Sequence, residues 1–165
     1  MRLNIHAAAL GGWVPAFVRL SNRIAGITRE PTAAEVGAHR GLLAANSLCV
    51  ENLELFMRHV APGAGLRDRV AVGADEEGSV CPTTLRDDLT RIVLAARNKS
   101  ASPAHVHRIY RKLRPFTDGN GRCARALWMW QMMRQPAELA AIAALDLADA
   151  RHPLNADAIT RAKLM

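Results

Sequence analysis

Through the middle of the chain, apolar positions recur at the three-to-four-residue spacing of helices. Val36, Leu42, Leu43, Leu48, Leu53, Leu55 and Phe56 predict one helix, or two broken near Gly41, running on to about Val60. Thr32 and Glu35 stand at capping-box spacing at its start, and "APGAG" ends it. A further helix is predicted from near Thr84 to "RNKS". Another opens on Ser102 as N-cap with Pro103 at its first position, carries His107, Tyr110 and Leu113, and stops at Pro115. After Gly119-Asn120-Gly121, residues Arg122 to Met133 form a helix with an apolar surround of Leu127, Trp128 and Trp130 to Met133, ended by Pro136. "AELAAIAALDLADA" reads as an alanine-rich helix, and Asn155 as the cap of a short last one.

Two stretches depart from this pattern. Residues 1–30 show no sustained period. Residues 66–82, "LRDRVAVGADEEGSVCP", place short β-branched runs at Val70–Val72 and Ser79–Cys81 around a glycine-rich acidic turn. That pattern predicts a small hairpin, with a surface loop as the alternative. No repeat, low-complexity tail or linker interrupts the 165 residues, so the expectation is one mainly α domain with a single hairpin.

Composition adds little to the fold but something to the partners. Half the residues are apolar and aromatics make up 4%, which suits closely packed helices. Twenty-two lysines and arginines against fifteen acids leave a formal charge of +7, favouring anionic partners. The excess is local: Arg108, Arg111, Lys112, Arg114, Arg122 and Arg125 surround the lone acid Asp118. Cys49, Cys81 and Cys123 are scattered and odd in number, which fits neither a disulfide framework nor a zinc site and suggests a reducing compartment. No run reaches the roughly 18 apolar residues of a membrane helix. Gly11-Gly12 and Pro15 interrupt the apolar start, and no A-x-A site follows, which argues against a cleaved leader.

The chemistry concentrates in "LRPFTDGNGRCAR", residues 113–125, a loop between two helices. The first turn of a helix has free N–H groups and a positive dipole end, so it accepts anions. Gly119 and Gly121 permit a tight turn and a close approach of backbone to phosphate. Asn120 can brace the loop against its own backbone or bond phosphate directly. Arg122 and Arg125, three apart, can reach one polyphosphate. Asp118 could hold Mg²⁺ bridging phosphate oxygens. A plain glycine turn with solvated arginines is the alternative.

"RPFTDGNGRCAR" resembles the signature of the Fic (Fido) family, H-P-F-x-[DE]-G-N-[GK]-R-x-x-R, at every defined position except the first. His107 and Tyr110 precede it where a histidine and an aromatic commonly stand in that family. The resemblance covers about residues 20 to 135. It implies a mainly α Fic-type domain and a protein adenylyltransferase, moving AMP from ATP or another nucleotide onto a target's hydroxyl side chain. By the match Asp118 takes Mg²⁺, Gly119, Asn120 and Gly121 form the anion hole, and Arg122 and Arg125 hold the phosphates. Pro115 and Phe116 shape the loop. The stretch 66–82 becomes a flap, and Arg69, Val70, Ala71 and Val72 align a target protein by strand addition. The implied setting is cytoplasmic, or a host cell into which the protein is delivered, and an inhibitory partner is a further expectation.

Two positions depart from the family. Arg114 stands where the family's general-base histidine would be, and a guanidinium offers donors only. His107 lies seven residues earlier, about 10 Å along a helix, beyond direct reach. The second departure concerns the family's inhibitory pattern [ST]-x-x-x-E-[GN]. "SNRIAG" fits it at Ser21 and Gly26 but has Ala25 in the glutamate's place, so 1–30 reads as a segment with a relic of that motif. The expectation is therefore a nucleotide-binding Fic-like protein with little AMP transfer. A transferase of altered chemistry and a basic nucleic-acid or protein interaction module are the alternatives, the last without a helix-turn-helix, zinc or stacking pattern to support it.

Overall fold

The structure, a computed structural model, describes residues 5–67 and 84–135, with side chains from residue 12 onward. Six helices follow one another: α1 (Ile5–Ile24), α2 (Ala33–Ala44), α3 (Val50–Val60), α4 (Leu85–Arg97), α5 (Pro103–Leu113) and α6 (Asn120–Met132). The fold is mainly α. Among the described residues the β structure is one antiparallel bridge, Leu66 with Phe116. The strands expected at Val70–Val72 and Ser79–Cys81, and the expected flap residues Arg69, Val70, Ala71 and Val72, lie outside the described residues, as do the two helices expected beyond Pro136.

The axis of the fold is α6, which contacts each of the other five helices. Every residue from Arg122 to Met132 is buried, so this helix has no solvent face. A helix of that kind must be apolar all round or have its polar groups satisfied by neighbours. Here Leu127, Met129 and Trp130 fill the core while Arg122, Arg125 and Gln131 each find partners on other elements.

The caps form where the residue types place them. Thr32 and Glu35 make both bonds of a capping box: the Thr32 N–H donates to the Glu35 carboxylate at 2.7 Å and the Glu35 N–H to Oγ1 of Thr32 at 3.1 Å. Ser102 accepts from the His105 N–H at 3.3 Å, with Pro103 opening α5. Thr84 and Asp87 make a second capping box at α4.

Two elements differ from the sequence-based expectation. The first is the break between α2 and α3, which falls at residues 45–49 and not near Gly41, a residue inside α2. The determinant is tertiary. Trp130 Nε1 donates to the Ala45 carbonyl at 2.9 Å, and the Arg134 guanidinium bonds the carbonyls of Leu43 and Ala45 while lying over the Trp130 ring. Groups on or just past α6 thus satisfy the orphan carbonyls at the end of α2 and fix where it stops.

The second is α1. Residues 5–24 form a helix although Pro15 sits inside it. Proline there removes one ladder bond and costs stability. Burial of Val14, Phe17 and Val18 on one face, with Ser21 one turn further, supplies the opposing term. The i, i+3, i+4, i+7 stripe was present in the sequence but masked by Pro15 and the glycine pair. None of the helices is long and apolar enough to cross a membrane, among the described residues.

Candidate functional site

Pro115 follows Arg114, and a residue before proline is disfavoured in the helical region. Arg114 takes φ 47°, ψ 60°, a left-handed conformation, and its N–H closes α5 on the Tyr110 carbonyl at 3.0 Å. The chain reverses there, Pro115 and Phe116 turn into the core, and Arg114 remains exposed.

The segment after Arg114 is anchored twice. On one side the 65–67 segment grips it: Arg67 N–H donates to the Pro115 carbonyl at 2.8 Å, Thr117 N–H to the Gly65 carbonyl at 3.0 Å, and Arg67 Nε to the Phe116 carbonyl at 3.0 Å. On the other, the Asn120 side-chain amide mimics a peptide. It accepts from the Phe116 N–H at 2.9 Å and donates to the Phe116 carbonyl at 2.7 Å. Asn120 is therefore committed to bracing the loop, one of the two roles its sequence position allowed.

Gly119 precedes α6 with φ +71°, and a Cβ there would lie 2.7 Å from Met57 Cε and 2.8 Å from Ala61 Cβ. Only glycine satisfies both the backbone and the space. The first helical bond of α6 runs from the Cys123 N–H to the Gly119 carbonyl at 3.0 Å. The N–H groups of Asn120, Gly121 and Arg122 precede it and are the orphan donors of a helix start.

These groups open onto a cavity of about 590 Å³ lined by Arg111, Arg114, Thr117, Asp118, Gly119, Asn120, Gly121, Arg122 and Arg125, with Ile24, Ala25 and Ile27 as its apolar wall. The residues singled out in the signature thus converge, except Pro115 and Phe116, which pack behind it. His107 is buried and does not line the cavity. Tyr110 is buried too, and burial beside the Cys123 thiol raises its hydroxyl well above the ordinary range.

The two arginines of α6 are held from behind. Arg122 donates through Nη1 to the Val60 carbonyl, lies 3.9 Å from Glu35 Oε1 and 3.8 Å from Asp118 Oδ2, and leaves Nε buried without a partner. Arg125 donates from Nε to Ser21 Oγ at 2.9 Å and from Nη2 to the Ser21 carbonyl at 2.7 Å. It is 4% exposed, yet no carboxylate pairs with it among the described residues. Burial, then the charges of Arg111 and Arg122, lower it to about 10. A buried guanidinium in this state is protonated at neutral pH and lacks a counter-ion.

Glu35 is the carboxylate beneath this wall. Burial would raise it, but the Arg29 guanidinium, the Thr32 N–H and Asn22 together hold it down to about 2. Its charge is taken up mainly by Arg29, bonded at 2.8 and 3.0 Å, so Arg122 receives only a distant share. Sequence reasoning found Glu35 as a cap but not as a partner of Arg29, Asn22 and Arg122. It also counted Arg111 in the basic cluster without placing it in the cavity. The spacing of Arg111 and Arg114, one helical turn apart, was the available signal.

Magnesium can be tested against these donors. Among the described residues the cavity offers one carboxylate, Asp118, whose side chain is 81% exposed and leans towards Arg122, against four guanidiniums. Mg²⁺ takes six oxygen ligands and is commonly held by one or two carboxylates plus phosphate oxygens that the ligand brings. A lone exposed carboxylate among four cations is a poor fit for a resident divalent ion. Comparisons with protein-family models, with curated proteins and with solved structures yield no match.

Proposed function

We propose that this chain is a Fic-like protein whose cavity at the start of α6 binds a nucleotide through its polyphosphate, and that AMP transfer to a protein hydroxyl is impaired. The observation that carries the reading is Arg125: a guanidinium 4% exposed, fixed by Ser21 and without a counter-ion among the described residues, at the wall of a cavity rimmed by helix N–H donors. An anion supplies the missing charge. The glycine tip lets it approach the backbone, and Arg114 and Arg111 extend the positive surface towards the mouth.

The resemblance gains support from a second juxtaposition. Ser21 meets the second signature arginine, and Ala25 lines the same cavity four residues on. An inhibitory glutamate at position 25 would stand beside the phosphate-binding arginine. The alanine leaves that space to the ligand.

Transfer is the weaker half of the family's chemistry here. A hydroxyl attacking the α-phosphate needs its proton removed, and Arg114 can only donate. His107 is buried away from the cavity, and Asp118 faces Arg122. Arg114 instead acts as a further phosphate ligand. Under this reading the segment 66–82 is the flap on which a target protein docks.

Titration calorimetry of the full chain with ATP tests the reading. Saturable binding that weakens about tenfold or more in Arg125→Ala supports it. Absence of binding by any nucleoside triphosphate overturns the pocket assignment.

A further inference from the structure

The charge balance of the cavity carries an inference that rests on the nucleotide-pocket reading and sharpens it. Metal-assisted phosphate sites use a divalent ion to neutralise the ligand's charge while carboxylates hold the ion. Here the proportions are inverted. Among the described residues, Arg111, Arg114, Arg122 and Arg125 line one cavity, and Asp118 is its only carboxylate. Asp118 Oδ2 already lies 3.8 Å from Arg122 Nη2, and the charge of Arg111 adds to burial in lowering Arg125. Among the described residues, a divalent cation entering here meets four like charges against one carboxylate.

A triphosphate brings about four negative charges at neutral pH, close to what four guanidiniums and the helix start can neutralise with one carboxylate present. Guanidinium binds phosphate oxygens bidentately and stays charged under all ordinary conditions. We propose that the cavity takes a triphosphate-class polyanion free of divalent metal, with Arg111 and Arg114 supplying at the mouth the positive charge a metal would otherwise bring. In this arrangement Arg114 is a ligand-binding residue in its own right. Free polyphosphates and metal-free nucleoside triphosphates share the chemistry recognised.

The test uses the full chain and inorganic triphosphate as probe, titrated calorimetrically in EDTA and again in excess Mg²⁺, with ATP run in parallel. Binding in EDTA that is unchanged or weakened by Mg²⁺ supports the proposal. An affinity that rises more than about threefold on adding Mg²⁺ overturns it while leaving the pocket assignment standing. No binding of either probe under either condition removes both. If ATP binds but inorganic triphosphate does not, recognition lies in the nucleoside and the proposal falls. Arg111→Ala and Arg114→Ala, both at exposed positions, are each expected to weaken binding in EDTA by about fivefold to tenfold. The double variant is expected to bind more tightly with Mg²⁺ than without. A double variant as indifferent to Mg²⁺ as the parent overturns the assignment of these two arginines.

Discussion

Ser21 and Arg125 stand 104 residues apart in sequence and meet through two hydrogen bonds, the Ser21 hydroxyl and carbonyl accepting from one guanidinium. The pair ties α1 to α6 and aims a positive group at the cavity without neutralising it. Serine does this because its acceptors are neutral; a carboxylate in its place would consume the charge that an anion needs.

Under the proposed function, Arg125 meets the far end of a phosphate chain seated on the glycine tip. Arg125→Ala is expected to weaken ATP binding about tenfold or more and AMP binding much less. Calorimetry with both ligands measures the difference. Equal losses for AMP and ATP would contradict the assigned position.

Arg114→His replaces a donor-only group with one able to accept a proton. A positioned general base contributes roughly 10²- to 10⁴-fold. The unmodified protein is expected to label no protein with radioactive ATP, and Arg114→His to recover labelling, at least of itself. Strong labelling by the unmodified protein would sink the argument from the missing base.

Ala25→Glu introduces a carboxylate into the cavity that Arg125 lines. Two opposite effects are expected: thermal stability rises as the uncompensated guanidinium gains a partner, and ATP affinity drops about tenfold as phosphate meets like charge. Ala25→Gln, of similar size, should do neither to the same degree. A variant whose ATP affinity equals the parent's would place residue 25 away from the ligand.

Gly119→Ala is expected to destabilise the fold by roughly 2–4 kcal/mol, since the methyl group collides with Met57 and Ala61 in a backbone region unfavourable to L-residues. Denaturant unfolding gives the number. A loss below about 0.5 kcal/mol would mean the loop relaxes without cost.

Acid sensitivity follows from two buried groups. His39 is 1% exposed, packed between Phe17 and Phe56 with Nδ1 on the Glu35 carbonyl. Burial, aided by Arg122 and Arg125 and opposed by Glu35, lowers it from 6.5 to about 4. The unfolded chain therefore binds the proton first, and stability falls as pH drops from 6.5 to about 4. Glu35, lowered from 4.5 to about 2, adds a loss on the order of 2–3 kcal/mol as pH falls through that range. His39→Phe should flatten the melting temperature between pH 6.5 and 4 and leave the lower limb. An unchanged slope would exclude His39 as its source.

How far the chain could be read beforehand depended on where each determinant sits. Thr32, Ser102 and Pro103 announced helix starts because capping is a local matter between residues a few positions apart. Gly119, Asn120 and the two arginines announced the tight loop at the start of α6 for the same reason. The break after Ala44 was not legible, since Trp130 and Arg134 set it from α6. Glu35 was legible as a cap, whereas its bonds to Asn22 and Arg29 depend on the turn after α1 folding back. The wall of Ile24, Ala25 and Ile27 likewise follows from the docking of α1 on α6, which no short window contains.

The burial of α6 on every side has a kinetic consequence. Its partners are spread over most of the chain, as with Val60 and Arg122 or Ser21 and Arg125, so closing the cavity waits on contacts of long sequence separation. Assembly of the site is then expected among the late events of folding, and the hydrogen-bonded amides of α6 from Cys123 onward should exchange with solvent only when the whole domain opens. An anion that bridges Arg125 and the start of α6 would act as a brake on unfolding, and the lifetime of the native state would report its occupancy.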